Sequence, residues 1–349
     1  MIIAGDEVVK SDALKEAAVL AETLGAPAYQ CSTPYGAHFL SESPCFMGAL
    51  SRLQKQVRDV LSPYDLMIVL GADPLRMSVY SEVDPMPDGL SIVQIGLVDW
   101  DLAKNYGAEI ALKADVKETL RALTPELKAA GGAALESRAR RGLADLAAKN
   151  WSARRKPLIE QISKAAAKSP IDPDYLTLQL VEAMPDNAIV VDEGLTSGRQ
   201  LLSLRPHRDR YGYHALASGG IGWGVPASVG VSLANPRRPV VCYSGDGSAM
   251  YSIQALWTAA HHRLPLNVVI CNNGGYRIIK QRLLAFHGDD HYVGMDFADP
   301  PVDFAGMAKS LGLEAMRISD PAQLKPTLSD AFKRPGAKLI EVVLSNSVN

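Results

Sequence analysis

The sequence predicts an α/β protein of two doubly wound, parallel-sheet domains of the Rossmann-like type, joined by a helical linker. In residues 1–127 short apolar segments alternate with amphipathic stretches, and the same alternation returns in residues 170–349. Alternating strands and helices are typical of mostly parallel sheets with helices on both faces. Residues 128–169 are instead rich in Ala, Lys, Arg and Glu and poor in β-branched residues, which predicts the linker.

The first domain, residues 1–127, opens on a strand, because residues 1–5 (MIIAG) already form an apolar, strand-like segment. We therefore expect the chain to begin inside a larger architecture. The other predicted elements are strands over 26–30, 65–73, 90–97 and 109–114, helices over 12–25, 49–61 and 116–127, and a long loop over 31–48. The turn at residues 71–73 (GAD) could approach a nucleotide, but without GxGxxG spacing an ordinary strand end is favoured.

The linker shows basic residues that alternate with acidic residues and alanine. This pattern favours a solvated helical face over an anion-binding role. Pro157 marks an interruption or a new helix start, because proline disrupts a helix interior but is tolerated in the first turn. We therefore assign no chemistry to the linker.

The second domain starts near residues 170–173, and a strand is predicted over 187–191. This strand runs into residues 192–198 (DEGLTSG), where hydroxyl groups and glycines follow a strand at a predicted helix start. Free backbone N–H groups and the helix dipole favour an anion at such a place. An ordinary helix cap by Thr196 or Ser197 is the alternative, and it is favoured when this segment is considered alone.

Glycine is dense in residues 218–226 (SGGIGWGVP), which lead into a helix of small residues. This density predicts close approach of the backbone to another group, with Ile221 the bulky side chain presented there. A tight turn that packs the helix against a sheet is the alternative. The segment resembles a dinucleotide fingerprint only loosely, because Val225 stands three positions after Gly222 and no acidic partner follows. A nicotinamide site is therefore not expected.

The second domain is organised around residues 239–276. An apolar run over 239–243 breaks at Gly245-Asp246-Gly247, a helix-like stretch follows, and a second apolar run over 266–271 ends at Asn272-Asn273-Gly274-Gly275. This order predicts a βαβ unit with a polar turn at the carboxyl end of each strand. Ligands bind at those ends in open α/β sheets, so we expect Asp246 and Asn273 to lie side by side.

The last part of the chain is predicted to contain a helix over 277–284 and a long polar loop over 285–301 that could serve as a lid. The loop residues His287, Asp289, Asp290 and His291 could be argued as a transition-metal cluster. No supporting second layer of residues is apparent, so we assign no metal there. The remaining predicted elements are a helix over 302–310, a strand over 313–318, a helix over 322–332 and a strand over 338–344.

Composition excludes several classes of protein. The 349 residues include 36 basic and 38 acidic ones, with a net charge of −2 and no dense basic stripe, so nucleic acid is not an expected partner. A run of about 18 apolar residues and a signal peptide are both missing, so membrane and export interpretations fail. The four cysteines form no CxxC pair, and Cys242 and Cys271 fall inside predicted strands. A reducing, cytoplasmic location is therefore expected.

The predicted cluster is suited to a hard cation. Asp246 offers a carboxylate, Asn273 a side-chain carbonyl and Gly275 a backbone carbonyl, and such oxygen ligands suit Mg²⁺ or Ca²⁺. Mg²⁺ commonly completes its coordination shell with water and phosphates, which points to a diphosphate-bearing cofactor. Hydrogen bonds to the same diphosphate are expected from Gly247, Ser248, Thr196 and Ser197.

These residues resemble a known motif. Gly245-Asp246-Gly247 followed by Asn272-Asn273, with 27 positions from Asp246 to Asn273, is similar to the thiamine-diphosphate motif. The glycine-rich segment, DEGLTSG and the first domain also resemble benzoylformate decarboxylase and its relatives, a group that includes acetolactate synthase-like enzymes. The resemblance covers essentially the whole chain and assigns it the middle and diphosphate-binding domains of that family.

The resemblance implies a cofactor site for thiamine diphosphate. Asp246, Asn273 and the Gly275 carbonyl would hold Mg²⁺, and Ile221 would bend the cofactor so that its aminopyrimidine can activate the thiazolium carbon. A backbone carbonyl near Gly219 would accept the pyrimidine amino group. The residues that would hold the diphosphate are Thr196, Ser197, Gly247 and Ser248. The cofactor would then act as electron sink in chemistry on a 2-oxo acid.

The chain also departs from the family. The amino-terminal pyrimidine-binding domain, whose glutamate activates the cofactor, does not precede Met1. We therefore expect a pyrimidine-binding domain or subunit as partner, a homo-oligomer, and no activity from this chain alone. Asp172 replaces a catalytic histidine, and Arg282 replaces a large apolar pocket residue, while Ile279 is a further pocket candidate. Arg282 would favour a second carboxylate or another anion on the substrate.

Two classes of function follow. The first is a catalytic piece of a thiamine-diphosphate 2-oxo acid decarboxylase or carboligase, including acetolactate synthase-like and 2-hydroxyacyl-CoA lyase-like carboligases. The second is a non-catalytic module for cofactor binding or assembly that lacks the activating acid. An NAD-dependent dehydrogenase would need an intact GxGxxG fingerprint with an acidic ribose partner, and the sequence contains neither.

Overall fold

The computed structural model of the protein describes residues 1–32, 34–77 and 81–348. The chain forms two compact units. The first contains residues 1–157 together with 206–212, and the second contains 158–205 and the chain from residue 213 onward. Each unit has its own six-stranded, all-parallel sheet with flanking helices, so the predicted α/β class with two parallel sheets is confirmed.

The first unit has the sheet order β3-β2-β1-β4-β5-β6. Its strands are Ile2–Ala4 (β1), Ala28–Gln30 (β2), Phe46–Ala49 (β3), Leu66–Leu70 (β4), Ser91–Gly96 (β5) and Ile110–Lys113 (β6). Its helices are Asp6–Lys10 (α1), Leu14–Leu24 (α2), Gln54–Leu61 (α3) and Val116–Leu146 (α4), with a 3-10 turn at Asp99–Asp101. A fifth helix, Trp151–Ser163 (α5), contains the boundary between the units.

β3 corrects the predicted loop over residues 31–48. Its residues pair in parallel with β2 through an irregular register, and Phe46 is buried in the core. A strand of four residues with one buried aromatic offers too little alternation to be distinguished from a loop.

The segment predicted as a linker packs on the first unit over part of its length. α4 consists of two helical segments joined by a kink at Gly132, where the backbone is not helical and φ is 47°. Beyond the kink, Leu135 and Leu146 are buried, and Leu146 belongs to the same core cluster as residues of α2. The division between the compact units, after residue 157, lies inside the predicted linker over 128–169.

The glycine turn after β4 is closed by packing. β1 and β4 are neighbours at the point where the strand order reverses, the usual ligand crevice of such sheets. Gly71 has φ of 58°, and a Cβ added there would lie 2.3 Å from the Glu7 Cβ atom. The Glu7 carboxylate in turn accepts a hydrogen bond from the Leu97 N–H at 2.6 Å. This turn therefore packs against α1 and serves the fold.

The second unit has the sheet order β11-β12-β10-β9-β7-β8. Its strands are Ile189–Glu193 (β7), Tyr213–Ala215 (β8), Val240–Gly245 (β9), Leu266–Asn272 (β10), Glu314–Ile318 (β11) and Lys338–Val343 (β12). Its helices are Pro173–Ala183 (α6), Leu201–Leu204 (α7), Gly224–Ala234 (α8), Asp246–Ala249 (α9), Ala255–His261 (α10), Arg277–His287 (α11), Phe304–Ser310 (α12) and Leu324–Lys333 (α13), with a 3-10 turn at Pro321–Gln323.

β9 lies between β7 and β10, so the carboxyl ends of these three strands meet at one edge of the sheet. In the register, Cys271 is opposite Gly245, and Ser244 is opposite Glu193. The predicted βαβ unit over residues 239–276 is thereby confirmed. Within the described ranges, no helix combines the length and the hydropathy that a membrane crossing would require.

Two local predictions in this unit were wrong. No helix starts at Thr196 or Ser197, because Leu195 has a left-handed φ of 47° and the turns continue to residue 200. The helix that follows is the short α7. The strand β8 was not predicted, since its three residues have no periodicity to detect.

Candidate functional site

Asp246 is the centre of the candidate site. It follows β9 directly, and only 2% of its surface is exposed. Its Oδ1 atom accepts a hydrogen bond from the Gly247 N–H at 2.8 Å. Its Oδ2 atom accepts from the Gly274 N–H at 2.7 Å and the Gly275 N–H at 3.1 Å. The turn after β9 and the turn after β10 therefore lie together, as the strand order predicts.

The Asp246 carboxylate has only neutral partners. Burial raises the pKa of Asp246 above its usual value, while hydrogen bonds from backbone N–H groups of Gly247, Gly275, Gly274 and Asn273 lower it. A nearby opposite charge would favour the ionised form. The site is therefore suited to a cation that adds positive charge beside this carboxylate.

Two buried polar atoms near Asp246 have no hydrogen-bond partner among the described residues. They are Asn273 Oδ1 and Ser248 Oγ. An unsatisfied buried polar group costs about 1–3 kcal/mol, so native proteins rarely keep one without a reason. An amide oxygen with free lone pairs suits a hard cation, and a hydroxyl suits an anionic oxygen. The set therefore fits Mg²⁺ with a diphosphate.

Gly275 permits a close approach between two backbones. A Cβ added there would lie 2.2 Å from the Met295 carbonyl oxygen. The residue forms an antiparallel bridge with Asp296, and the Phe297 N–H donates to the Gly274 carbonyl at 2.8 Å. The predicted lid loop is thus attached to the turn that would hold the metal. The Gly275 carbonyl accepts one hydrogen bond, from the Arg277 N–H at 3.0 Å, and retains a second lone pair.

The glycine-rich segment is held by a residue that the sequence did not single out. Glu193, at the carboxyl end of β7, is 2% exposed. Its Oε1 atom accepts from the Gly222 N–H at 2.7 Å, and its Oε2 atom accepts from the Gly224 N–H at 2.6 Å. The sequence carries no signal for this role, because it depends on contacts with a segment about 30 residues further along the chain. Glu193 therefore fixes the backbone that precedes α8.

This segment presents its predicted residues to open space. Ile221 is 39% exposed. Gly219 has φ of 80°, and a Cβ added there would meet no atom within 4 Å. At the next glycine the backbone is tightly packed, because a Cβ on Gly222 would lie 2.5 Å from the Tyr251 Cβ atom. The segment is therefore held in place at Gly222 and is accessible at Gly219 and Ile221.

Thr196 and Ser197 share one partner, the Arg277 guanidinium. The Nε atom donates to Thr196 Oγ1 and the Nη2 atom donates to Ser197 Oγ, both at 3.2 Å. Thr196 is half-buried, whereas Ser197 is fully buried. Burial lowers the pKa of Arg277. Sequence reasoning missed Arg277, because an arginine that begins a helix carries no specific signal.

The three predicted pocket residues lie in different surroundings. Asp172 caps α6, accepting hydrogen bonds from the Asp174 N–H at 3.0 Å and the Tyr175 N–H at 3.3 Å. Ile279 and Arg282 lie one turn apart on α11, and both are exposed. Asp172 lines a cleft together with Thr196 and Arg277, whereas Ile279 and Arg282 do not line it.

The four candidate metal ligands are all exposed: His287 is the last residue of α11, and Asp289, Asp290 and His291 lie in the polar loop after it. In the part of the chain that the structure describes, no group of three or more His, Cys, Asp or Glu side chains is arranged to hold a metal ion. A metal at Asp246 would therefore depend on amide and carbonyl oxygens.

Comparisons with known proteins match both units. The family model described as thiamine pyrophosphate enzyme, central domain, matches residues 1–123. The model described as thiamine pyrophosphate enzyme, C-terminal TPP binding domain, matches residues 196–342. The first match lies within the first compact unit, and the second lies in the second unit apart from residues 206–212.

Curated relatives and solved structures extend this similarity. Benzoylformate decarboxylase from Pseudomonas aeruginosa is 28% identical over 347 residues, which is 98% of this chain and 60% of that protein. The large subunit of acetolactate synthase isozyme 1 from Escherichia coli is 29% identical over 81% of this chain and 48% of that protein. A thiamine diphosphate-dependent 4-hydroxybenzoylformate decarboxylase from Rhodococcus jostii RHA1 superposes with a TM-score of 0.81 and 25% identity, covering 100% of this chain and 62% of that one. The chain thus spans less than two thirds of the length of these relatives.

Proposed function

Because the chain belongs to the thiamine pyrophosphate enzyme family, we propose that its second unit binds thiamine diphosphate through a divalent cation. We propose further that it forms part of a 2-oxo acid decarboxylase or carboligase. The observation that carries this proposal is the buried Asp246 carboxylate beside the unsatisfied Asn273 Oδ1 atom. An anionic oxygen and a neutral oxygen at one sheet edge are the donors that Mg²⁺ prefers in proteins.

Each residue has a proposed role. Asp246, Asn273 Oδ1 and the Gly275 carbonyl hold Mg²⁺, and Ca²⁺ would accept the same oxygen ligands. The groups that hold the diphosphate are Thr196, Gly247 and Ser248, with Ser197 acting from its buried position beside Arg277. Ile221 and the backbone at Gly219 face the organic part of the cofactor, which their exposure permits.

Bound thiamine diphosphate supplies a carbon nucleophile and an electron sink for a 2-oxo acid. The chain itself holds the diphosphate, neutralises part of its charge and orients the rings. Asp172, Ile279 and Arg282 remain proposed pocket residues. Of these, Arg282 would favour a second carboxylate or another anion on the substrate, and the reaction is either decarboxylation or carboligation.

We propose that the complete enzyme places a pyrimidine-binding domain or subunit over the second unit and assembles as a homo-oligomer. Large apolar side chains in this unit are exposed around the turns described above. They are Leu195 at 43%, Ile221 at 39%, Met250 at 41% and Tyr251 at 57%. Such exposed apolar side chains next to a site are consistent with a surface that another domain covers.

The test is a calorimetric titration of thiamine diphosphate with and without Mg²⁺. We expect binding that requires the metal and that weakens at least tenfold in Asp246→Asn, since this change removes the one anionic ligand. Asp320→Asn, at a helix cap remote in sequence from the turns, is the matched control and should bind like the wild type. Binding that is independent of the metal, or unchanged in Asp246→Asn, would refute the assigned site.

A further inference from the structure

The second unit contains a cleft of about 520 Å³ next to Thr196. Its walls come from the segment before α6, the turn after β7, the start of α11 and the end of the described chain. The side chains that matter for its charge are Lys168, Asp172, Arg199 and Arg277. Thr196, expected to hold the diphosphate, and Asp172, a pocket candidate, both line this cleft, whereas Arg277 was assigned no ligand.

Two of the three basic side chains in the cleft are already neutralised. Lys168 Nζ lies 3.3 Å from Asp172 Oδ2. Arg199 forms a two-pronged pair with Asp174, through hydrogen bonds of 2.9 Å and 2.7 Å. Across the described residues, Arg277 has no carboxylate within ion-pair distance. The cleft therefore retains one positive charge, and that charge is on Arg277.

Arg277 is buried against neutral groups. Only 6% of the residue is exposed. Its three hydrogen bonds go to Thr196 Oγ1, Ser197 Oγ and the Ser345 carbonyl, each at 3.2 Å. A guanidinium has five N–H groups, so two of them remain without an acceptor in the described structure. Asp246 is close enough to favour the charged form of Arg277 but is not in ion-pair contact with it. A buried charge with no carboxylate in contact is unfavourable, which makes an anionic ligand the expected complement.

The arrangement also sets the direction of the Thr196 hydroxyl. Because Arg277 Nε donates to Thr196 Oγ1, the hydroxyl uses a lone pair there and keeps its O–H group for another acceptor. Thr196 is half-buried and lines the cleft. One charged donor and one neutral donor therefore converge on the same space.

We propose that this cleft is an oxyanion-binding site in which Arg277 supplies the charge and Thr196 a neutral donor. The ligand is a phosphoryl or carboxylate oxygen. It has two possible sources under the proposed function, on which this inference rests: the diphosphate of the cofactor and the carboxylate of the substrate. In either case Arg277 binds the ligand group directly.

The experiment measures binding of inorganic pyrophosphate and of pyruvate by calorimetry in metal-free buffer. The proteins are the wild type, Arg277→Gln, Arg277→Lys and the control Arg238→Gln, which removes an equal charge at an exposed position. We expect Arg277→Gln to weaken one probe about ten- to a hundredfold, the usual effect of losing a charged hydrogen bond. Arg277→Lys should recover part of this loss, and Arg238→Gln should stay within about twofold of the wild type.

The affected probe identifies the source of the oxyanion. Loss of pyrophosphate binding indicates the cofactor, and loss of pyruvate binding alone indicates the substrate. If Arg277→Gln does not fold, the Arg277 Nε–H signal in the NMR spectrum of the wild type, assigned through Arg277→Lys, should shift on addition of the bound probe. Wild-type protein that binds neither probe, or an Arg277→Gln variant that binds both normally, overturns the proposal.

This result is separable from the test of the proposed function. Metal-dependent cofactor binding that needs Asp246, together with normal binding of both pyrophosphate and pyruvate by Arg277→Gln, would refute the oxyanion site and leave the proposed function intact. Pyrophosphate binding that needs Arg277, in a protein that does not bind thiamine diphosphate, would do the reverse.

Discussion

Asp246 combines two features that conflict in the absence of a ligand. Its carboxylate is buried, and the groups that surround it are backbone N–H donors with no full positive charge. The neighbouring Asn273 Oδ1 atom is buried with no donor in the described structure. Satisfying that amide from within the protein would gain about 1 kcal/mol, yet the fold leaves it open. The arrangement is understandable if a cation binds both oxygens.

Asp192 provides a pH-dependent prediction at the same end of β7. Burial raises the pKa of Asp192 to about 6, although hydrogen bonds from the Gly194 N–H and the Tyr213 hydroxyl act to lower it. Between about pH 4 and 6 the Asp192 side chain is already ionised in the unfolded chain but still protonated in the folded protein. The free energy of unfolding therefore falls as the pH rises through this window and is level above it. Asp192→Asn removes this fall in stability, because the amide has the same shape as the carboxyl group and does not ionise.

We expect Asp192→Asn to be more stable than the wild type by about 1–2 kcal/mol at pH 7.5, a value reduced from the full shift because Asp192 is partly exposed. The difference should vanish towards pH 4. Urea unfolding at several pH values checks this, with Asp303→Asn as a carboxylate control. A difference that is constant with pH would contradict the assigned cause.

Residues of the site differ in how far the sequence reveals them. Asp246 and Asn273 could be predicted, because each follows a long apolar strand and parallel strands end at one edge. Arg277 and Glu193 could not, since their importance comes from what they contact across the sheet. Ser197 was expected to hold the diphosphate together with Thr196; in the structure it is buried and accepts a hydrogen bond from Arg277 Nη2, a contact that no sequence pattern marks.

At the scale of elements, the polar loop after α11 is more than a flexible connection. Its segment around Asp296 pairs with the turn that contains Gly275, and the Tyr276 and Phe297 rings contact each other edge to face, with centroids 4.9 Å apart. Lys280, buried on α11, forms an ion pair with Asp296. Any movement of this loop would therefore be transmitted to the proposed metal ligands.

Gly275→Ala tests this connection. The added methyl group would lie 2.2 Å from the Met295 carbonyl oxygen, so one of the two backbones must move. We expect a loss of about 1–3 kcal/mol in the free energy of unfolding, as for other overpacked sites, and weaker binding of thiamine diphosphate with Mg²⁺.

The matched control is Gly230→Ala in α8, where an added Cβ meets no atom within 4 Å. Alanine is the better helix former, so this variant should be stabilised by up to about 1 kcal/mol. Denaturant unfolding separates the two outcomes. Equal free energies of unfolding for the two variants would show that the loop can move to accommodate the methyl group without losing stability.

The elements that could be predicted are those with enough residues to show a period. β9, β10 and α8 are long or strongly apolar, and the structure has them where the sequence indicates. β3 and β8 have four and three residues, too few for alternation to appear. Their pairing is decided by neighbouring strands, which is tertiary information.

At the scale of the whole molecule, the proposed site belongs to one unit. Asp246, Asn273, Thr196 and Glu193 all lie in the second compact unit. The first unit has a closed turn at its own strand-order reversal, where Gly71 packs on Glu7. The residues proposed to hold the cofactor therefore all belong to the second unit.

This division predicts where a ligand stabilises the protein. A ligand at 100 times its dissociation constant adds about 2.7 kcal/mol to the structure that binds it. Hydrogen exchange followed by mass spectrometry, with and without thiamine diphosphate and Mg²⁺, should show slower exchange at residues 193–198, 219–224, 245–250 and 272–277. Exchange in β4 and β5 of the first unit should stay unchanged, because an amide exchanges when its own part of the structure opens, and the ligand does not bind there. Equal protection in both units would mean instead that they unfold as one cooperative body, and the energetic effect of the site would then extend over the whole chain.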